Sequence, residues 1–242
     1  MMLEKVKIKA NENIAPDVYA MTVRADIDPH PGTFAMLYVD KGELLLPRPI
    51  SICDAKSGTI KFVYQVVGRG TAVLAKKTKG DEIKILAPIG KGFYLGKDAR
   101  TPQKKVALVG GGIGIPPLLL LAKKLKQQGA EVHVYLGFRK DVFLGESFES
   151  VADSVFVATD DGSFGFHGNA IDLIKQQNQT YDEFMACGPK PMLDALKDFA
   201  DVSCQLSMEE RMACGLGTCV GCVLEVGGEY KRICTEGPVF YA

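Results

Sequence analysis

The chain has 242 residues, 29 Lys and Arg against 29 Asp and Glu, and 47% hydrophobic residues, so it is neutral overall and suits about two domains with an ample core. Balanced charge, with no basic stripe or acidic tail, speaks against nucleic acid as a partner. Seven cysteines, an odd count, speak against a disulfide framework.

The opening Met-Met-Leu-Glu-Lys-Val-Lys alternates apolar and charged residues and reads as an edge strand rather than a signal peptide. Strands are expected at 6–14, 18–23, 36–39, 50–53, 60–67 and 82–86, where β-branched and aromatic residues are punctuated by Gly, Pro and Asp. A short helix is expected at 71–77. Residues 1–100 therefore read as a closed antiparallel β-barrel domain. After Lys104 the pattern changes to strand 105–109, helix 115–128, strands 132–136 and 155–158, helix 170–177, strand 183–186 and helix 191–199. This alternation predicts a doubly wound parallel α/β domain over 101–203. The most apolar run, 106–122, is broken by four glycines and Pro116-Pro117, so no membrane span is expected. Residues 204–242 read as a small C-terminal lobe with a hairpin at Gly227-Gly228, too small to bury a core unaided.

That lobe carries Cys214, Cys219, Cys222 and Cys234 in the order C-x4-C-x2-C…C, the spacing of plant-type [2Fe–2S] ligation. Gly215, Gly217 and Gly221 are expected to take left-handed turns and bring N–H groups toward the sulfurs. A structural zinc is the competing reading, although zinc sites usually pair two short knuckles and here Cys234 stands apart. Cys53, Cys187 and Cys204 read as small buried hydrophobes. Reduced thiols and an iron cluster fit a cytoplasmic protein.

Two further motifs point to nucleotides. Arg48-Pro-Ile-Ser51 opens a barrel strand, with an arginine fork and a hydroxyl expected to reach one phosphate; a surface arginine after a loop is the plain alternative. Gly68-Arg-Gly70-Thr71 opens the short helix, and backbone N–H groups there suit the other side of a flavin pyrophosphate. Tyr64 and Gln65 lie on the strand between and can border a flat ring. Gly110-Gly111-Gly112-Ile113-Gly114 joins a strand to a helix, the context of a dinucleotide loop, although a tight turn without ligand has the same sequence. Cys187-Gly188-Pro189 ends another strand, where open α/β sheets bind ligands. His133 reads as a core residue, and no acid–base pair stands out for direct catalysis.

R-P-x-S, G-x-G-T, G-G-G-x-G and C-G-P, in that order to about residue 200, resemble the ferredoxin–NADP reductase superfamily. The segment from Glu209 to Cys222, with Thr159-Asp-Asp-Gly-Ser163, resembles the electron-transfer subunits of dihydroorotate dehydrogenase B. The resemblance implies FAD on Arg48, Pro49, Ile50, Ser51, Val63, Tyr64, Gln65, Gly70 and Thr71, a [2Fe–2S] cluster on the four lobe cysteines, and NAD as electron acceptor. It implies an FMN-containing catalytic subunit that oxidises dihydroorotate, joined in a heterotetramer with two copies of each. Arg139 suits a 2′-phosphate, so NAD rather than NADP rests on the resemblance. Two other readings compete: a reductase subunit of a hydrogenase, sulfite reductase or oxygenase complex, and a non-catalytic regulator retaining the fold and a zinc knuckle.

Overall fold

In the computed structural model, which describes residues 1–39, 45–96 and 104–242, the first six strands close into a barrel. They are β1 (Met2–Ala15), β2 (Val18–Arg24), β3 (Phe34–Tyr38), β4 (Arg48–Lys56), β5 (Thr59–Gln65) and β6 (Glu82–Ile89), with α1 (Arg69–Ala75) between the last two. The order is β1-β2-β5-β4-β3-β6, and β1 pairs back onto β6 through Val6↔Ile83. Met2–Lys7 of β1 pair with β6 and Ile8–Ala15 pair with β2, so the strand closes the barrel while its opening segment is paired along one side. Its charged residues face outward from a closed sheet, which produces the same alternation that an edge strand shows. Inward residues Met21, Ile52, Phe62 and Ile85 are fully buried, and Met36 on the outer face is covered by the chain around Gly215.

Helix α1 starts two residues earlier than expected. Gly68 is its N-cap, and Thr71 Oγ1 accepts from the N–H groups of Val67 at 3.0 Å and Gly68 at 3.3 Å. Its far end is fastened by Asn11, whose amide donates to the carbonyls of Leu74 at 2.9 Å and Lys77 at 2.8 Å.

The second unit begins with β7 (Lys105–Gly111), a single 3-10 turn (Gly112–Gly114), α2 (Pro117–Gln127) and β8 (Glu131–Phe138). It continues through α3 (Gly145–Glu149), β9 (Ser154–Thr159), β10 (Phe166–His167), α4 (Ala170–Gln177), β11 (Glu183–Cys187), α5 (Lys190–Phe199) and β12 (Cys204–Ser207). The chain then forms a two-stranded hairpin, β13 (Val223–Val226) and β14 (Glu229–Arg232), a turn of helix α6 (Ile233–Glu236) and a last strand β15 (Val239–Tyr241). The large sheet runs β10-β9-β8-β7-β11-β12-β15, parallel except for β15 against β12. Its order reverses at β7, the doubly wound pattern. Pro117 opens α2 where a missing N–H costs little.

Two compact units result: Met1–Gly92 with Glu209–Pro238, and Phe93–Met208 with Val239–Ala242. The cysteine segment thus groups with the barrel, while Cys204–Ser207 and the last residues belong to the sheet. Among the described residues, no helix is long and apolar enough to cross a membrane.

Candidate functional site: a cysteine centre and two nucleotide-binding surfaces

The cysteine segment folds as an irregular loop because its backbone repeatedly enters the left-handed region. Gly215 (φ 69°) and Gly217 (φ 79°) do so as expected. The third such position is Val220 (φ 48°) rather than Gly221. A Cβ on Gly221 would touch Cys219 Sγ at 3.5 Å, so its smallness leaves room beside that sulfur. The loop rests on the barrel, since a Cβ on Gly215 would meet Met36 Cγ at 2.8 Å.

The sulfurs stand in two pairs. Cys222 Sγ lies 3.3 Å from Cys234 Sγ, both buried. Cys214 and Cys219 share a hydrogen bond nearer the surface, where Cys219 is exposed. The Thr218 hydroxyl and the N–H groups of Leu216 and Cys219 hold the Cys214 thiol well below its usual range, at about 5. Burial and the neighbouring Cys222 push Cys234 up to about 11, against an N–H bond from Gly217. Among the described residues, no three His, Cys, Asp or Glu side chains surround one metal-ion position. Paired sulfurs with backbone N–H groups directed at them are the donor set an iron–sulfur cluster requires. The Thr218 contribution was not anticipated, although its place within C-x4-C made it legible.

On the barrel, the structure brings Arg48 and Gly70 together. A Cβ on Gly70 would sit 1.9 Å from Arg48 Nε, so the guanidinium lies against the first turn of α1. Arg48 also donates to the Leu46 carbonyl. Ser51 does not join it. β4 pairs with β3 in unbroken register from Arg48 to Ser51, and residues three apart on a strand point to opposite faces. Pro49 and Ile50 lie between them on β4, and Val63 and Gln65 flank Tyr64 on β5. Tyr64 is buried, stacks on Tyr19 at 6.0 Å between centroids, and donates to Asn11 Oδ1 at 3.0 Å. Burial pushes its phenol up to about 12. Asn11 therefore ties Tyr64 to the end of α1, a long-range link with no local sequence signal. A groove of 930 Å³ runs between Leu45–Pro49 and Glu209–Met212, so β4 and the lead-in to Cys214 form two walls of one cleft within this unit.

In the sheet unit, the two glycine motifs meet. A Cβ on Gly114 would lie 2.5 Å from Gly188 Cα and 2.6 Å from the Cys187 carbonyl oxygen. One on Gly111 would strike Met192 Sδ and Pro189 Cδ, both at 2.8 Å, and one on Gly110 would strike Ile115 Cγ1 at 2.7 Å. These three glycines serve close packing of the chain on itself. Gly112 (φ 52°) is different, for nothing lies within 4 Å of its added Cβ. Cys187 is buried beneath this junction, and Cys53 and Cys204 are buried as expected. His133 is a core residue, bonded to Tyr181 at 3.1 Å and to Glu131 at 3.0 Å. Arg139 and Lys140 follow β8, and the backbone of Asp160 and Asp161 after β9 bonds to the carbonyls of Phe138 and Arg139 at 3.0 and 3.3 Å.

Comparison with known proteins follows the same lines. Residues 209–242 match the family model described as the iron-sulfur cluster binding domain of dihydroorotate dehydrogenase B. The chain is 42% identical to the dihydroorotate dehydrogenase B (NAD(+)), electron transfer subunit of Caldanaerobacter subterraneus subsp. tengcongensis, over 98% of this chain and 96% of that one. It is 40% identical to that of Listeria innocua serovar 6a, over 100% and 98%. Among solved structures, an NADH-dependent reduced ferredoxin-NADP oxidoreductase matches with TM-score 0.87 and 28% identity, covering 98% of this chain and 87% of that one. A ferredoxin NADP+ reductase from Neisseria gonorrhoeae, with bound FAD and NADP, matches with TM-score 0.65 and 16% identity over 82% and 90%, a likeness of fold.

Proposed function

The chain belongs to the family of dihydroorotate dehydrogenase B (NAD(+)) electron transfer subunits, and on that premise we propose that its partner is an FMN-bearing catalytic subunit oxidising dihydroorotate to orotate in pyrimidine synthesis, in a cytoplasmic heterotetramer with two copies of each. The chain is the oxidoreductase subunit that passes the electrons to NAD+, with FAD and a [2Fe–2S] cluster as its resident groups. When bound, the cluster supplies one-electron carriage and the flavin supplies exchange between single electrons and a hydride.

The chain's own residues do the rest. Cys214, Cys219, Cys222 and Cys234 hold the cluster, and the N–H groups of Leu216, Gly217 and Cys219 favour added negative charge on the sulfurs. Arg48 and the first turn of α1 hold the flavin phosphates, while β4 and β5 border its ring. Gly112, with its open surroundings, receives the NAD phosphates beside Cys187-Gly188-Pro189. In functional terms the barrel serves the flavin, the parallel sheet with its helices the NAD, and 209–238 the cluster. Leu216, Val220 and Tyr230, all exposed on the cysteine lobe, are the apolar surface a permanent partner covers.

The observation that carries this reading is the pairing of four thiols within the segment that matches the family model. The test is Cys219→Ser in the whole complex. Reduction of NAD+ by dihydroorotate is expected to be lost, while dihydroorotate oxidation by artificial acceptors continues. Survival of both activities refutes the relay.

A further inference from the structure

Among the described residues, one buried side-chain oxygen or nitrogen has no hydrogen-bond partner: the hydroxyl of Thr235. A buried hydroxyl left unpaired bears its full desolvation cost, and each such group in a native fold calls for an acceptor. Thr235 directly follows Cys234 on α6. Its side chain packs on the cysteine loop, where a Cβ on Gly217 would meet Thr235 Cγ2 at 2.8 Å and Oγ1 at 3.2 Å. Gly217 is the residue whose N–H bonds to Cys234. The hydroxyl is thus walled in against the inside of the loop that carries the sulfurs.

The neighbouring polar groups are committed elsewhere. Thr218 is bonded to Cys214, the Gly217 carbonyl accepts from Arg232 at 3.4 Å, and Glu236 accepts from the backbone and Nε of Arg232 at 2.8 and 3.2 Å. Valine would fill the same volume with no polar atom to satisfy, so threonine here implies an acceptor the protein itself does not provide. We propose that the Thr235 hydroxyl donates a hydrogen bond to a sulfur of the bound cluster, a thiolate or a bridging sulfide, and thereby raises the cluster's reduction potential. The chemistry is that of a neutral donor favouring the more negative, reduced state. The inference rests on the iron–sulfur reading of the four cysteines.

The test compares wild type, Thr235→Val and Thr235→Ser in the full, anoxically prepared, iron-loaded chain, by redox titration followed by electron paramagnetic resonance. Thr235→Ser is expected to keep the wild-type potential. Thr235→Val is expected to hold the same iron but to be reduced about tenfold less readily, or about 59 mV lower for one electron. Pulsed measurements in D2O are expected to show one coupled exchangeable proton fewer in Thr235→Val. If Thr235→Val does not retain iron, Thr235→Ala serves as the hydroxyl-free variant. Equal potentials in the hydroxyl-free variant and in Thr235→Ser overturn the proposal while leaving the cluster in place. A wild-type chain that takes up no iron overturns the cluster reading and this inference with it.

Discussion

Replacing Gly70 with alanine separates flavin binding from stability. The added methyl would sit 1.9 Å from Arg48 Nε and 2.3 Å from Cζ, atoms at the end of a flexible side chain. Gly70 lies in the first turn of α1 with no positive φ, so alanine fits the backbone and gains up to about 1 kcal/mol of helix propensity. The fold therefore loses almost nothing, whereas the guanidinium must leave its place. A hydrogen bond from a charged donor contributes about 1.5–3 kcal/mol, which predicts FAD binding weaker by roughly 10- to 150-fold. The assay pairs a fluorescence titration with FAD against the melting temperature of the flavin-free chain. Arg48→Ala is expected to cause a similar loss, and the double variant little more than either single one, because both remove the same contact. Unchanged FAD affinity in Gly70→Ala, or full additivity with Arg48→Ala, refutes the role given to this contact.

Other outcomes follow from the sheet unit. Gly114→Ala presses a methyl on the backbone of Cys187 and Gly188 at 2.5–2.6 Å, so it is expected to cost about 1–3 kcal/mol, to lower the melting temperature by roughly 2–12 °C, and to raise KM for NADH by parting the two loops. Gly112→Ala meets open space, so it is expected to cost the fold only the left-handed strain of about 1–2 kcal/mol, while its methyl, placed where the phosphates would lie, raises KM for NADH; an unchanged KM for NADH in Gly112→Ala would contradict the role given to that glycine. Burial, aided by the charge of Lys105, holds His133 below its usual pKa despite the opposing Glu131. The unfolded chain then binds the extra proton first, so stability is complete above pH about 6.5 and falls as pH drops through the lowered native value. Melting temperatures between pH 7 and 5.5 are expected to decline in wild type and to flatten in His133→Asn.

Sequence periodicity made the barrel and the parallel sheet legible because their strands are bounded by Gly, Pro and Asp and their core positions recur at fixed steps. The alternation at the start of β1 does not show that the strand goes on to join β6 to β2, because an outward face reads the same in an open and in a closed sheet. The four residues of β12 and the three of β15 escaped notice, being too short for periodicity and defined by their pairing with β11 and with each other. In the site, cysteine spacing is a local signal and was readable, as was the glycine loop. The placement of Ser51 opposite Arg48 follows from strand alternation. The seating of Gly114 on Gly188, the tie from Asn11 to Tyr64 and the buried Thr235 hydroxyl join residues far apart in the chain, and these appear only once the backbone is folded.

The account stands most directly on what the four lobe thiols bind. Iron and acid-labile sulfide determined on the anoxically purified full chain are predicted at about two of each per chain, falling to near zero in Cys222→Ser while the flavin is retained. One zinc per chain without sulfide, or iron unaffected by Cys222→Ser, would contradict it.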